Sequence, residues 1–177
     1  MLLSVRMTKQ PMYLRRPTPV VYALSVAALL TAYQSLVVKS DGLLGRHYKV
    51  EVARVFDGDT FETTTGTRVR LLGVDSPEVR HGDSEGEPFG EESGAWLRGL
   101  ILGREVMLQE GAERVDRYGR TLGWIYLEDG QLVNELTLST GNSELMDRFG
   151  LPLELEPRLR AAEAKAKAEK TGLWRHR

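Results

Sequence analysis

The fold of this chain is constrained most by a succession of short segments in which β-branched residues alternate with polar ones. Three such segments lie at residues 48–56, 60–65 and 67–74, separated by an Asp-Gly-Asp triplet and by a single glycine. Aspartate and glycine are the residues that tight turns favour, because they tolerate the backbone angles of a turn. The spacing therefore predicts a meander of three short strands.

The second half of the body adds helices to these strands. Trp96, Leu97, Leu100 and Ile101 recur at helical spacing. In chain order the further elements are a helix, two strands and two more helices, at residues 91–102, 105–109, 121–127, 132–138 and 153–170. Three strands, a helix and two strands fit a five-stranded Greek-key barrel of the OB type. We therefore predict a mainly β fold with helices (α+β): an OB-fold β-barrel with about three helices.

An uncharged stretch precedes this body. Residues 19–38 carry no charged side chain, over about the 20 residues that are needed to cross a bilayer. We predict one transmembrane helix there, after a basic tail (1–18) and before a linker (39–47) and the OB domain (48–174). A signal peptide, cleaved or uncleaved, and a mitochondrial presequence are the alternatives. The expected location is a membrane of the cell envelope or of a mitochondrion, with a single pass and a monomeric body.

Composition excludes several classes of site. The chain has no cysteine, which excludes disulfides, thiolate zinc sites and a cysteine nucleophile. The net charge of -1 is unevenly divided, because the first 40 residues hold five basic and no acidic side chains, so that the remainder carries about -6. An acidic body disfavours tight nonspecific binding to nucleic acid, which depends on lysine and arginine. Catalysis stays open, since it needs only a few local cations.

Three short motifs hold the residues that point to chemistry: DGDT at 57–60, RLLGVDSPE at 70–78 and DRYGR at 116–120. They supply acid oxygens for a hard cation, one further carboxylate and two arginines. Such a set suits attack on a phosphodiester, because the cation and the guanidiniums neutralise phosphate charge and the spare carboxylate orients or deprotonates water. Taken singly, each motif is more often an ordinary turn or a solvated side chain. Their order and spacing carry the hypothesis.

The predicted strands place a condition on this site. Asp59 and Asp75 together leave several water positions open on a hard cation, either Ca²⁺ or Mg²⁺. In an ideal strand Arg70 and Asp75 point to opposite faces, because their separation is odd. If both serve one site, the chain must bend or bulge between them, and Gly73 makes a bend there plausible.

These residues resemble the thermonuclease, or staphylococcal nuclease, family over about residues 48–174. The three motifs match those of the family in order, and the VNE and GLW stretches at 133–135 and 172–174 are also similar. The resemblance implies an OB barrel with three helices. It also implies Ca²⁺-dependent hydrolysis of DNA and RNA phosphodiesters that leaves 3′-phosphates, with Mg²⁺ the less favoured ion.

The resemblance also implies a role for each site residue. Asp59, Asp75 and the backbone carbonyl of Ser76 would bind the metal, and Glu78 would orient or activate water as the general base. The remaining three would contact substrate: Arg70 and Arg120 would hold the phosphate and stabilise the transition state, and Tyr118 would lie in the nucleotide pocket.

Two departures from the family pattern keep other functions open. The loop after Glu78 is acidic, and Asp147 and Phe149 stand where the family often supplies tyrosines. The alternative to a membrane-tethered nuclease is therefore a weak or inactive OB-type scaffold module that binds nucleic acid or protein. A third possibility is an enzyme for small phosphodiesters.

Overall fold

A computed structural model of the chain describes residues 46–80 and 85–176. The part of the chain thus described contains seven strands, three α-helices and a short 3₁₀ helix at Gly172–His176. The strands are β1 (His47–Val55), β2 (Thr60–Thr63), β3 (Arg68–Leu71), β4 (Val74–Asp75), β5 (Glu105–Val115), β6 (Thr121–Tyr126) and β7 (Glu144–Leu145). The α-helices are α1 (Gly90–Ile101), α2 (Val133–Ser139) and α3 (Glu156–Glu169).

Five of the strands close into a barrel in the order β1-β2-β3-β6-β5. The pairs are antiparallel except for β3 with β6, which is parallel, and β1 pairs with β5 to close the ring. Alternate residues point inward, so Phe61 of β2, Val69 and Leu71 of β3 and Leu108 of β5 are fully buried. The predicted five-stranded OB-type barrel with three helices is confirmed.

The predicted bend between Arg70 and Asp75 is present. The segment expected as one strand at 67–74 divides into β3 and β4, with a turn at Leu72 and Gly73 between them. Gly73 adopts a positive φ of 71°, a conformation that side-chain-bearing residues rarely adopt. After the turn, β4 leaves the barrel and pairs with β7, so the RLLGVDSPE motif spans two sheets.

The helices cover the barrel and fix its ends. Leu97 and Ile101 of α1 are fully buried in the same core as the barrel strands, and so are Leu138 of α2 and Leu159 of α3. Asn134 at the start of α2 accepts a hydrogen bond from the Ile125 amide at 2.9 Å and donates to the Leu72 carbonyl at 2.8 Å. This buried amide therefore ties α2 to the bend that follows β3.

Some predicted boundaries were wrong. β5 runs to Val115, beyond the expected end at 109, because its last residues pair with β6 although they are exposed. The third helix begins at Glu156 and not at 153, since a proline in its first turn favours a start there. It ends with Lys170 in the left-handed conformation, ahead of the expected cap at Gly172.

The predicted tail at 1–18 and membrane helix at 19–38 lie outside the described residues, as does most of the linker. Within residues 46–80 and 85–176, none of the helices has both the length and the apolar character that a membrane span requires. The linker predicted at 39–47 ends one residue early, because His47 already pairs with Gln109 as part of β1.

Candidate active site

Asp59 lies at the centre of the site. It follows the turn after β1, and its amide donates to the Asp57 carboxylate at 2.9 Å. Its own carboxylate is almost fully buried and accepts three hydrogen bonds: from the Thr60 hydroxyl at 2.9 Å, and from the Ser76 amide and hydroxyl at 2.7 and 3.0 Å. The first two sequence motifs are thus joined through one carboxylate.

The turn that carries Asp59 is closely packed. A Cβ at Gly58 would lie 2.7 Å from Ser76 Cβ and 2.9 Å from Ser93 Cβ in α1, well inside van der Waals contact. Ser93 is itself fixed, because its hydroxyl donates to the Asn142 carbonyl at 2.7 Å. Glycine at position 58 therefore allows α1 to hold the turn in place.

Arg70 bridges the two predicted metal ligands. Its guanidinium forms ion pairs with Asp59 and with Asp75, the latter at 2.7 Å. The Arg70 side chain is 12% exposed, whereas that of Asp75 is 55% exposed. The bend at Gly73 allows this contact between residues that a straight strand would hold on opposite faces.

Arg120 reaches the same site from the β5–β6 loop. Its Nε donates to Asp116 at 2.8 Å, and its Nη1 lies 3.5 Å from the Thr60 hydroxyl. Asp116 also accepts hydrogen bonds from the amides of Tyr118 and Arg120 at 2.9 and 3.0 Å. This carboxylate closes the loop and aims Arg120 at Thr60, so the third motif meets the other two.

Tyr118 is 68% exposed. The guanidinium carbons of Arg117 and Arg120 lie 4.7 and 5.5 Å from the centre of its ring, and Arg117 donates to its hydroxyl at 2.6 Å. The ring is therefore held at the surface beside Arg120. It can serve a substrate by stacking or hydrogen bonding.

Glu78 is exposed on the segment after β4. Its carbonyl accepts from the Glu87 amide at 2.7 Å, and its amide lies 3.2 Å from the Glu87 carboxylate. Gly90 packs directly on this peptide, since a Cβ there would meet the Glu78 carbonyl. The backbone at Glu78 is thus fixed by the start of α1, and its carboxylate has no hydrogen bond or ion pair within the described ranges.

The acids of the site differ in pKa. Burial raises the pKa of Asp59 to about 6, although Arg70 opposes the shift, and the neighbouring Asp57 adds to it. Burial also raises the pKa of Asp75, again against Arg70. At Asp116 burial acts in the same direction but is outweighed by hydrogen bonds from Arg120 and Tyr118, so the pKa is lowered.

This donor set fits a hard cation. Two carboxylates, those of Asp59 and Asp75, converge on one guanidinium. Carboxylate and carbonyl oxygens are the ligands that Ca²⁺ and Mg²⁺ prefer. Residues 46–80 and 85–176 hold no group of three or more Asp, Glu or His side chains placed for a metal. A cation here would therefore depend on two acids, backbone carbonyl oxygen and water.

A single network of hydrogen bonds and ion pairs, which passes through Thr60, connects five of the predicted residues: Asp59, Arg70, Asp75, Ser76 and Arg120. Tyr118 lies beside it, and Glu78 lies two residues beyond Ser76, where its carboxylate forms no hydrogen bond or ion pair with the other site residues that the structure describes. Sequence reasoning assigned no role to Thr60 or Asp116, which link and aim the arginines. An aspartate two residues before a Tyr-Gly turn is typical of side-chain-to-backbone turn bonding, which is the signal that identifies Asp116.

The barrel and its site define a class: an OB-type domain in which a buried acid and two arginines are joined in one polar network. Comparison with known proteins gives the particular family. The family model described as Staphylococcal nuclease homologue matches residues 68–176, which is more than half of the chain. The chain belongs to the staphylococcal nuclease family.

Several curated proteins are similar to this chain. An uncharacterized endonuclease of Escherichia coli O157:H7 is 31% identical over 126 residues, which are 70% of this chain and 74% of that protein. Probable endonuclease LCL3 of Pyricularia oryzae is 35% identical over 111 residues, 60% of this chain and 42% of that protein. The SPbeta prophage-derived endonuclease YokF of Bacillus subtilis is 30% identical over 129 residues, 71% of this chain and 43% of that protein.

Proposed function

We propose that this protein is a Ca²⁺-dependent endonuclease that hydrolyses phosphodiester bonds of DNA or RNA. The observation that carries the proposal is the chain of contacts from Arg120 through Thr60 and Asp59 to Arg70. It brings the two arginines and the buried acid, from three separate motifs, to one place. Family membership and relatives described as endonucleases support the same activity.

Glu78 orients and deprotonates the attacking water in this proposal. The water oxygen attacks phosphorus, its proton passes to the Glu78 carboxylate, and the bond from phosphorus to the 5′ oxygen breaks, which leaves a 3′-phosphate. Arg70 and Arg120 donate to the phosphate oxygens, where planar guanidiniums fit with bidentate geometry. Donors that are already positioned before the reaction stabilise the developing charge most effectively.

Asp59, Asp75 and the Ser76 carbonyl would hold the cation. When bound, it supplies positive charge that neutralises the phosphate and polarises it. The Ser76 amide and hydroxyl orient the Asp59 carboxylate, and Asp116 fixes Arg120. Tyr118 stands at the rim of the site, where it can contact a nucleotide.

Hydrolysis of single-stranded DNA by the full chain tests the proposal. With Ca²⁺ the wild type should cleave, with Mg²⁺ it should cleave less, and excess chelator should abolish the reaction. Glu78→Gln and Arg120→Lys should each lower kcat by about 100-fold or more, since general-base and oriented-donor contributions are of this size. Neither should change the melting temperature by more than about 2 °C, because both side chains are at least partly exposed.

A matched control is Glu128→Gln, which neutralises a carboxylate outside the described network and should leave the rate unchanged. Cleavage by the double variant Glu78→Gln, Arg120→Lys at the wild-type rate would contradict the assignment. Binding of oligonucleotide without turnover by the wild type would instead favour the scaffold alternative.

We further propose that residues 19–38 tether the nuclease domain to a membrane as a single pass. The support is the uncharged run of about the length that a bilayer requires. The full chain should remain in the membrane pellet after carbonate extraction. Replacing Leu29 and Leu30 by lysines should release it. Recovery of the unaltered chain in the supernatant would contradict the tether.

A further inference from the structure

A basic surface lies beside the proposed active site. A groove of about 400 Å³ runs between β1 and α1, and its wall includes Arg54, Phe56, Val79, Arg98 and Leu102. Both of its arginines are exposed. The groove borders the segment that carries Glu78, because Val79 contributes to its lining.

Phe56 orders the arginines at one side of this groove. The guanidinium carbons of Arg54 and Arg68 both lie 4.7 Å from the centre of the Phe56 ring. A guanidinium that stacks on an aromatic ring keeps the N–H donors at its edge available. The two side chains are therefore held in place and can still bind an anion.

The charge of this surface is incompletely neutralised. Arg68 lies 3.8 Å from Glu62, a weak ion pair, and within residues 46–80 and 85–176 no ion pair is formed by Arg54 or Arg98. The cluster of Arg54, Arg68, Arg98 and Glu62 thus carries a net charge of about +2 on a body that is acidic as a whole. A local excess of this kind attracts phosphates.

The same segment also lines a mainly acidic groove. A groove of about 820 Å³ is lined by Asp75, Ser76 and Pro77 together with Glu87, Glu92 and Glu144, and Arg175 is its one basic lining residue. This groove includes Asp75 and Ser76, the proposed metal ligands, and beyond the cation its carboxylates disfavour a polyanion, whereas the basic groove attracts one.

Strand register places Arg68 of the basic surface close to Arg70 of the proposed active site. Arg54, Glu62 and Arg68 are neighbours across β1, β2 and β3. The next cross-strand pair on the same face of the barrel is Thr60 with Arg70, because Phe61 and Val69 pair between them and point into the core. Arg68 and Arg70 lie on one face of β3, about 7 Å apart along the strand. A phosphate bound between Arg70 and Arg120 would therefore have a neighbouring phosphate near Arg68 and Arg54.

From this arrangement we infer that the groove lined by Arg54, Phe56 and Arg98, together with Arg68 stacked on Phe56, binds the backbone phosphates of a polynucleotide strand next to the bond that is cleaved. The inference rests on the proposed nuclease function and adds a strand-binding surface outside the reacting phosphodiester, which a small phosphodiester would not reach. Phe56 stacks with two guanidiniums, so its role in this inference is to order the arginines. The groove therefore contributes affinity without sequence preference.

Equilibrium binding tests the inference separately from catalysis. The full chain carrying Glu78→Gln, which prevents turnover, is titrated against a fluorescein-labelled 12-mer of thymidylate, with fluorescence anisotropy as the readout. The groove variant adds Arg54→Gln and Arg98→Gln. The matched control adds Lys165→Gln and Lys170→Gln, which remove the same charge from the exposed side of α3.

The groove variant should bind the 12-mer about tenfold more weakly at 100 mM salt. Its slope of log Kd against log salt should be lower by about 1.4, since each of the two lost phosphate contacts contributes about 0.7 for a single strand. The control should change the affinity less than threefold. Lysine at positions 54 and 98 should restore most of the affinity, because the charge is retained. Equal affinity and equal slope for the groove variant and the control would overturn the inference.

A kinetic comparison keeps the two proposals distinguishable. With Glu78 intact, Arg54→Gln with Arg98→Gln should raise KM for the 12-mer about tenfold and leave a dinucleotide unaffected. Equal effects on both substrates would overturn the inference while the nuclease proposal stands. A wild type that binds the 12-mer through the groove but cleaves nothing would refute the nuclease and leave the groove assignment in place.

Discussion

Replacing Asp59 by asparagine should make the metal-free protein more stable while it abolishes activity. The pKa of this buried acid rises from 3.8 to about 6, so holding it ionised in the fold is unfavourable. A gap of about two pH units corresponds to about 3 kcal/mol at 1.36 kcal/mol per unit. Asparagine resembles the neutral acid in shape but must satisfy its own amide, so a gain of about 1–3 kcal/mol is expected.

The pH dependence follows from the same values. Below pH 3.8 the acid is protonated in both the folded and unfolded chain, and between pH 3.8 and about 6 only the folded chain holds the proton. The stability of the wild type therefore falls as the pH rises through this window, whereas that of Asp59→Asn does not. The advantage of the variant should be largest above pH 6 and should vanish near pH 4.

Thermal unfolding with excess chelator at pH 8 and pH 4 measures this difference. A gain of 1–3 kcal/mol corresponds to a rise of roughly 2–12 °C in Tm for a domain of this size. Asp129→Asn is the control, because hydrogen bonds from Gln131 lower the pKa of Asp129 and its neutralisation should not stabilise the fold. A lower Tm for Asp59→Asn at pH 8 would refute the view that burial of the charge dominates at this position.

Three further predictions concern the supports of the site and its cation. Gly58→Ala should lower the free energy of unfolding by about 2 kcal/mol or more and reduce cleavage, because the added Cβ clashes with Ser76. In the same melting experiment the control Gly99→Ala should be neutral or stabilising, because its added Cβ meets no atom within 4 Å. Asp116→Asn should lower kcat about tenfold or more with a small change in Tm, since it weakens the hydrogen bond that positions Arg120. An unchanged kcat would show that this hydrogen bond is dispensable. The increase in Tm caused by Ca²⁺ should decline as the pH falls through about 6, because protons then compete with Ca²⁺ for the buried Asp59 carboxylate. An equal increase in Tm at pH 5 and pH 8 would contradict this prediction.

The fold was largely readable from the sequence because its strands alternate and its turns carry glycine and aspartate. The bend after Arg70 was predictable from the odd separation of Arg70 and Asp75, and Gly73 provides it. The end of β5 could not be predicted from the sequence, because residues near Val115 are exposed on both faces and are held by backbone pairing with β6. The β4–β7 pair escaped prediction because strands of two residues have no readable period.

The site was readable in its residue types but not in its connections. The two arginines and the acids were predicted from motifs, and the structure adds that Arg70 joins both acids and that Thr60 links Asp59 to Arg120. Such contacts depend on how three distant segments meet, which local patterns do not encode. The basic groove was missed for the same reason, since its arginines come from β1, β3 and α1 and lie within an acidic body.

The most direct test of the central claim is the rate of single-stranded DNA cleavage as Ca²⁺ is titrated into chelator-treated protein, with wild type and Asp59→Asn measured side by side. The account predicts that cleavage by the wild type rises from zero and saturates with Ca²⁺. It predicts no cleavage by Asp59→Asn, although this variant is folded and more stable. Cleavage that is independent of Ca²⁺, or equal in the two proteins, would contradict it.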